Sequence, residues 1–216
     1  YTAERHAFSD QERAFLGAVA NLGAQAIQRT RLYEAFQMMA HDLNASLDLK
    51  QVLTTLLLKS VEQLNVKAGS IRLLGPRQAT LHLAAAYGLS ASYLDKGMVE
   101  VAHSPIDRRV LSEREPLAIT ELTAEAGLQY PVEAQREGIR SVIVLPLCAH
   151  STAIGVLRLY SGQVRRFGME EIAFATAVAN LGAVAIENAR LHAALQERMD
   201  ALKEDSNGWF RFLALS

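Results

Sequence analysis

The chain has 216 residues, 22 basic against 23 acidic side chains, half of its residues hydrophobic and a single cysteine, Cys148. That length leaves room for one domain of ordinary size plus helical extensions, and the balanced charge offers no field for nucleic acid or for an anionic membrane, so neither is expected as a partner. One thiol excludes an internal disulfide and fits a reducing, cytoplasmic setting.

No uninterrupted apolar run reaches the roughly 18 residues of a membrane helix, and Tyr1 stands in mid-pattern, so the chain is expected to be a piece of a longer protein. The heptapeptide AVANLGA occurs at 18–24 and again at 177–183. Aligned without gaps, the 35 residues from Tyr1 and the 35 from Tyr160 are about half identical, the mark of one structural element taken from two copies of a domain. The expected organisation is therefore three parts. Residues 1–35 are the closing helix of a truncated copy running on as a linker, 36–195 a complete domain, and 196–216 a helix leading to an output domain.

In chain order, FSDQER opens a helix with Ser9 or Asp10 as cap and Glu12 as the capping-box acid. Leu32, Phe36, Met39 and Leu43 follow a 4-3-4 spacing, a seam that asks for a partner helix. NASLDLKQVLTTLLLKSVEQL restarts a helix with Ser46 or Asp48 as cap, after a bend near residues 44–48, with Val52, Leu56, Lys59, Val61 and Leu64 on roughly one side. Gly69 ends the helical period. The runs SIRLLG, TLHLAAAY, MVEVA, PLAIT, SVIVLPLC and AIGVLRLYSG read as strands, several apolar at nearly every position and so covered on both faces. SPIDRRVLSER is a short helix with Ser104 as cap and Pro105 at its first position. ELTAEAGLQYPVEAQREG is a long polar loop with one helical turn near residues 132–137, of a length that is usually functional. The last helix runs from about Met169 to Glu204, and its Val184, Asn188, Leu191, Leu195 and Leu202 form a second seam. Gly182 inside it implies close approach to another backbone. A break follows at residues 206–208. The two seams predict a homodimer through the helices that begin and end the domain.

This order of elements resembles the GAF domain, a relative of PAS sensory modules. SLDLKQVLTTLL is similar to the family's leading helix, AGSIRLLG to its first strand, LHLAAAYGLS to its second strand and turn, EGIRSVIVLPLCAHSTAIGVLRLYS to its terminal hairpin, and FGMEEIAFATAVANLGAVAIENARL to its closing helix. The resemblance implies an α+β fold with an antiparallel sheet of five or six strands. Leading and closing helices lie on one face; a ligand pocket lies on the other, under the short helix and the long loop. The function implied is sensory or regulatory and non-catalytic: binding a small molecule, or relaying a signal through coiled-coil helices to an output such as a histidine kinase. WFRFLALS at the end resembles the run that precedes the phosphoacceptor box of those kinases. AHDLNASL resembles the box itself only loosely, lacking its basic residue and proline, and His41 reads as a solvent-facing helix histidine.

Arg72 and Arg158 are the charges that stand out, each inside an otherwise apolar strand where an unpaired charge is costly. On the family's sheet order their strands are adjacent. Either the two converge on a carboxylate or phosphate ligand, with Tyr87, His103 and Tyr130 as polar companions, or each reaches the sheet edge or pairs with a loop acid such as Asp107, Glu115 or Glu121. His103 could serve haem or an anion, or be an ordinary loop histidine; haem has no further support, and the six histidines show no metal-binding spacing. The ligand and any cofactor stay unknown. Bilin-binding members carry their attachment cysteine in the region here spelled AGLQYPVEAQREG, which has none, and the Asn-Lys…Phe…Asp-Glu signature of cyclic-nucleotide binders is missing. Cys148 reads as a small strand residue, because nothing beside it supplies the electropositive setting of a reactive thiol. The alternatives to a sensor are a small enzyme using that thiol and a dimerisation spacer without ligand.

Overall fold

The computed structural model of the chain describes residues 49–122 and 127–213. The first seam, Leu32, Phe36, Met39 and Leu43, lies outside the described residues, as do the bend near 44–48, the Ser46 and Asp48 caps and the first AVANLGA.

Helix α1 (Leu49–Gln63) is leucine-rich, and its hydroxyls bond back into their own helix: Ser60 Oγ donates to the Leu56 carbonyl at 2.6 Å, which lets a serine be fully buried there. It stops where Asn65 takes a left-handed φ of 48°. The amides of Asn65 and Val66 then reach back to the carbonyls of Glu62 and Val61, the Schellman arrangement. Its buried face is Val52, Leu53, Leu56, Leu57, Ser60 and Val61. Lys59, expected on that side, instead pairs with Glu62 at 3.6 Å on the exposed side.

Six strands follow: β1 (Ala68–Leu74), β2 (Thr80–Tyr87), β3 (Val99–Glu100), β4 (Leu117–Ile119), β5 (Ser141–Ala149) and β6 (Thr152–Ser161). They form one antiparallel sheet in the order β3-β2-β1-β6-β5-β4. Between them lie α2 (Ala91–Leu94), a 3-10 turn (Val101–His103), α3 (Pro105–Glu113) and α4 (Pro131–Arg136). The sheet thus has the six strands of the upper expectation. The tetrapeptide helix α2, hidden in the turn ASYLDKG, is an element that the hydrophobic period is too short to reveal.

Helix α5 (Met169–Leu213) closes the chain. Glu171 returns to the amide of Gly168 at 2.8 Å, a capping box. The helix does not break at residues 206–208. Asn207 and Gly208 lower helix propensity, by about 1 kcal/mol for the glycine, but neither blocks a hydrogen bond as proline would.

The sheet separates two cores. One, with Ile71, Ala85, Ile143, Leu145, Leu157 and Leu159, packs on α1 and on Phe174, Val178 and Ile186 of α5. The other, with Leu81, Val142, Val144, Val156 and Tyr160, lies under Tyr93, Ile106, Val110 and Ala134 of the short helices. This is the expected division, long helices on one face and short helix with loops on the other. The stretch Met169–Gln196 is long and apolar enough to span a membrane by length and composition. Part of its apolar surface, with Phe174, Val178 and Ile186, is, however, the wall of the first core.

Candidate functional site

In the β1–β6 pairing Arg72 stands opposite Val156 and Arg158 opposite Ser70. The two arginines are therefore diagonal neighbours on adjacent strands, on the face shared with Val156 and Tyr160. Both are 2% exposed. Their circumstances differ.

Arg158 is paired. Its Nε donates to Asp107 Oδ1 at 3.1 Å and its Nη2 to Oδ2, and Asp107, one turn into α3, is fully buried. Burial, the largest single effect, would lower the Arg158 pKa, but the Asp107 carboxylate together with Tyr160 and Tyr93 outweighs it and the guanidinium stays charged. Ser104, expected to cap α3, makes no side-chain cap bond; its hydroxyl donates to Asp107 Oδ2 at 2.5 Å. The nearby carboxylate is the stronger acceptor, and it holds the hydroxyl as a donor.

Arg72 is not paired. Its Nε is buried with no hydrogen-bond partner among the described residues, and the one carboxylate buried on this face among them already serves Arg158. Burial lowers its pKa, with Arg158 working in the same direction. An uncompensated buried cation is among the costliest arrangements in a protein interior.

A cavity of about 10 Å³ opens beside these groups, room for about one water molecule. Its polar lining is Lys96, Ser104, Gln129, Tyr130 and Arg158, and its apolar lining Tyr93, Val99 and Leu128. Gln129 and Tyr130 form a roof tied to β3 and its approach: Gln129 Oε1 accepts from the Glu100 amide at 2.7 Å, and Tyr130 Oη donates to the Met98 carbonyl at 2.9 Å. Tyr93 meets Tyr160 edge-on at 6.1 Å, and Tyr160 Oη lies 3.0 Å from Ser70 Oγ.

Lys96 follows α2 and is half-buried, with Nζ 3.3 Å from the centre of the Tyr93 ring and 5.5 Å from that of Tyr130. Burial first, then Arg158 and Arg72, push its amine down to about 6; Glu133 and Asp107 oppose this. The ring contacts favour the charged form too, but a cation–π contact is worth about 0.5–2 kcal/mol, roughly one tenfold step in protonation, and returns only part of the fall.

The sequence-predicted residues are thus divided. Arg158 and Tyr130 line the cavity, and Arg72 shares their face one strand over. Tyr87 does not join them. A bulge in the β1–β2 pairing, between Ile71 and Arg72, shifts the alternation, so that Leu81 belongs to the cavity-side core while Ala85 belongs to the helix-side core. Tyr87, two residues past Ala85 and opposite Gly69, is 37% exposed on the helix side. The same bulge puts His82, opposite Leu73, on the side of Tyr87. His103 points to solvent and pairs with Glu100 at 3.2 Å. Lys96, Tyr93 and Gln129 were not expected. Of the acids offered as partners, Asp107 is the one that pairs.

Elsewhere, Cys148 is a free, partly buried thiol whose pKa burial raises, against a small opposing effect of Arg114. Among the described residues no cluster of three or more His, Cys, Asp or Glu side chains could hold a metal ion. Val184, Leu191 and Leu195 are 55–59% exposed along α5, as is Met199 at 56%, and Asn188 is exposed with them. The Leu202 side chain lies outside the described residues.

A family model for the GAF domain matches residues 46–187. Among solved structures, the chain is similar to the GAF domain of a phosphoenolpyruvate-protein phosphotransferase from Coxiella burnetii (20% identity, TM-score 0.69, covering 77% of this chain and 98% of that one). It is also similar to a domain assigned to a two-component sensor histidine kinase from Sinorhizobium meliloti 1021 (27% identity, TM-score 0.58, covering 68% and 95%). A third similar structure is free methionine-R-sulfoxide reductase from Neisseria meningitidis (16% identity, TM-score 0.64, covering 88% and 98%). No curated protein matches the chain.

Proposed function

The chain belongs to the GAF domain family, whose domains occur in sensory and signalling proteins, and from that premise we propose that it is a non-catalytic sensor of a small anion. The observation that carries this is Arg72: among the described residues it is a guanidinium 2% exposed, without a partner at Nε, beside an Arg158–Asp107 pair that leaves no buried acid to spare. A bound carboxylate or phosphate would supply the missing charge, held by Arg158, Lys96 and Tyr130 of the cavity lining with Arg72 on the neighbouring strand. The roof at Leu128–Tyr130 would have to lift for it, since the cavity holds about one water.

The reading extends to output. Ile71, Leu157 and Leu159, on the two arginine-bearing strands, touch the core that holds α1 and α5. A shift of β1 against β6 on binding would move both helices, and α5 would carry it along a homodimer to a downstream output, a histidine kinase by analogy with the Sinorhizobium relative, on the cytoplasmic side.

A spacer with a collapsed cavity is the competing reading, favoured by the small volume and by the pairing of Arg158 with Asp107. Calorimetric titration of the chain with inorganic phosphate and with acetate, oxalate and succinate decides between them. Saturable binding that Arg72→Met abolishes, with the fold of the variant intact by circular dichroism, is expected. No binding of any of these anions to the wild type would favour the spacer.

A further inference from the structure

The least expected feature of the site is an amine. Lys96 Nζ borders the cavity, lies against two aromatic rings, and among the described residues forms no ion pair. Lysines in surface turns reach water or a carboxylate; this one is turned inward toward Arg158. The groups acting on it are Arg158, Arg72, Glu133 and Asp107, with the cations dominant. A permanent positive charge is disfavoured there, and a negative one would be welcomed by Arg72.

We propose that Lys96 is a modification site for carbon dioxide, forming a carbamate whose carboxylate provides the counter-charge for Arg72 and Arg158. The lone pair of the neutral amine attacks the carbon of CO₂, a C–N bond forms, one C=O electron pair moves onto oxygen, and an N–H proton leaves to solvent water. No oxidant, reductant or further reactant is needed. Three observations meet on this chemistry. The amine is held near its neutral form, at about 6, and only that form is nucleophilic. The cavity has room for about one water, so a small, uncharged electrophile reaches Lys96 with the least displacement of the Tyr130 roof. The product is an anion on a face where the Nε of a buried guanidinium has no hydrogen-bond partner among the described residues. Ser104, whose hydroxyl is turned to Asp107, and Tyr130, whose hydroxyl serves Met98, could each re-aim toward a carbamate oxygen.

The inference rests on reading the cavity as an anion site, and the test separates the two. The full chain is equilibrated with ¹³C-bicarbonate and followed by ¹³C NMR, then alkylated with a trialkyloxonium salt and digested to locate the adduct by mass spectrometry. A carbamate resonance that Lys96→Arg removes, a trapped adduct on Lys96, and a signal reduced several-fold in Arg72→Met are expected. A spectrum unchanged by Lys96→Arg, or no adduct on the Lys96 peptide, overturns the carbamate. Phosphate binding measured in CO₂-depleted buffer is the separate arm: if it persists without a carbamate, the anion reading stands and this inference falls. If a carbamate forms but no free anion binds, this inference stands and the anion is made in place. Lys96→Met, checked by circular dichroism, guards against attributing a lost signal to an unfolded variant.

Discussion

Asp107 holds the site together more than any other side chain, because it is the counter-ion of a buried arginine and the acceptor of a buried serine at once. Asp107→Ala leaves Arg158 charged and alone, and should cost about 3–5 kcal/mol, read as a fall in the urea midpoint at constant slope. Replacing the pair together, Asp107→Leu with Arg158→Met, should recover most of it. Lys96 makes a different prediction, in pH. Its folded-state amine sits at about 6, whereas in the unfolded chain it titrates near about 10.4. Between those values the unfolded chain binds more protons, so stability contributed by this group rises with pH through the window. Lys96→Met should therefore raise the melting temperature most at the acid end of that range, with the gap closing toward the alkaline end, in CO₂-depleted buffer. A gap independent of pH would contradict it. The two arginines could be singled out in the sequence because a charge inside an apolar strand has few excuses. Lys96 could not, since in ASYLDKG it looks like any solvated turn lysine until the fold brings it under Tyr130. Tyr87 was misplaced because strict alternation cannot foresee a bulge.

At the scale of elements, two glycines make opposite predictions. A side chain at Gly182 would meet Leu147 and Leu56 at 3.6 and 3.8 Å, ordinary contact. The close backbone approach inferred for this helix position is therefore not what keeps the glycine, and Gly182→Ala should stabilise by up to about 1 kcal/mol. At Gly155 the added carbon would run into the backbone of β1, at the Arg72 carbonyl and 3.0 Å from the Leu73 Cα. Gly155→Ala should destabilise by at least about 1–3 kcal/mol and loosen the strand pair that carries both arginines; thermal melts of the two variants side by side check the contrast. Strand and helix identities were otherwise legible because their apolar runs and periods are long. The boundaries that escaped were those set by tertiary contact, such as the two-residue β3, or by the absence of a true stop signal, as at residues 206–208.

The whole molecule presents its least satisfied surface along α5, where Val184, Leu191, Leu195 and Met199 stand in water. On the dimer reading they are covered by a second copy, and Leu191→Glu with Leu195→Glu should yield a monomer in analytical ultracentrifugation without unfolding the domain, whose core they do not enter. An unchanged dimer would place the interface elsewhere. The flanks of the sheet carry a further consequence. They end in strands of two and three residues, Val99–Glu100 and Leu117–Ile119, and an outer strand that short exposes few unpaired amides and carbonyls to a stranger. On the reading of residues 1–35 as the end of a second, similar copy of the domain, which their likeness to the stretch from Tyr160 supports, this matters during synthesis. Like sequences held at high local concentration are a usual route to swapped and mispaired sheets, and blunt flanks give such errors little backbone from which to begin.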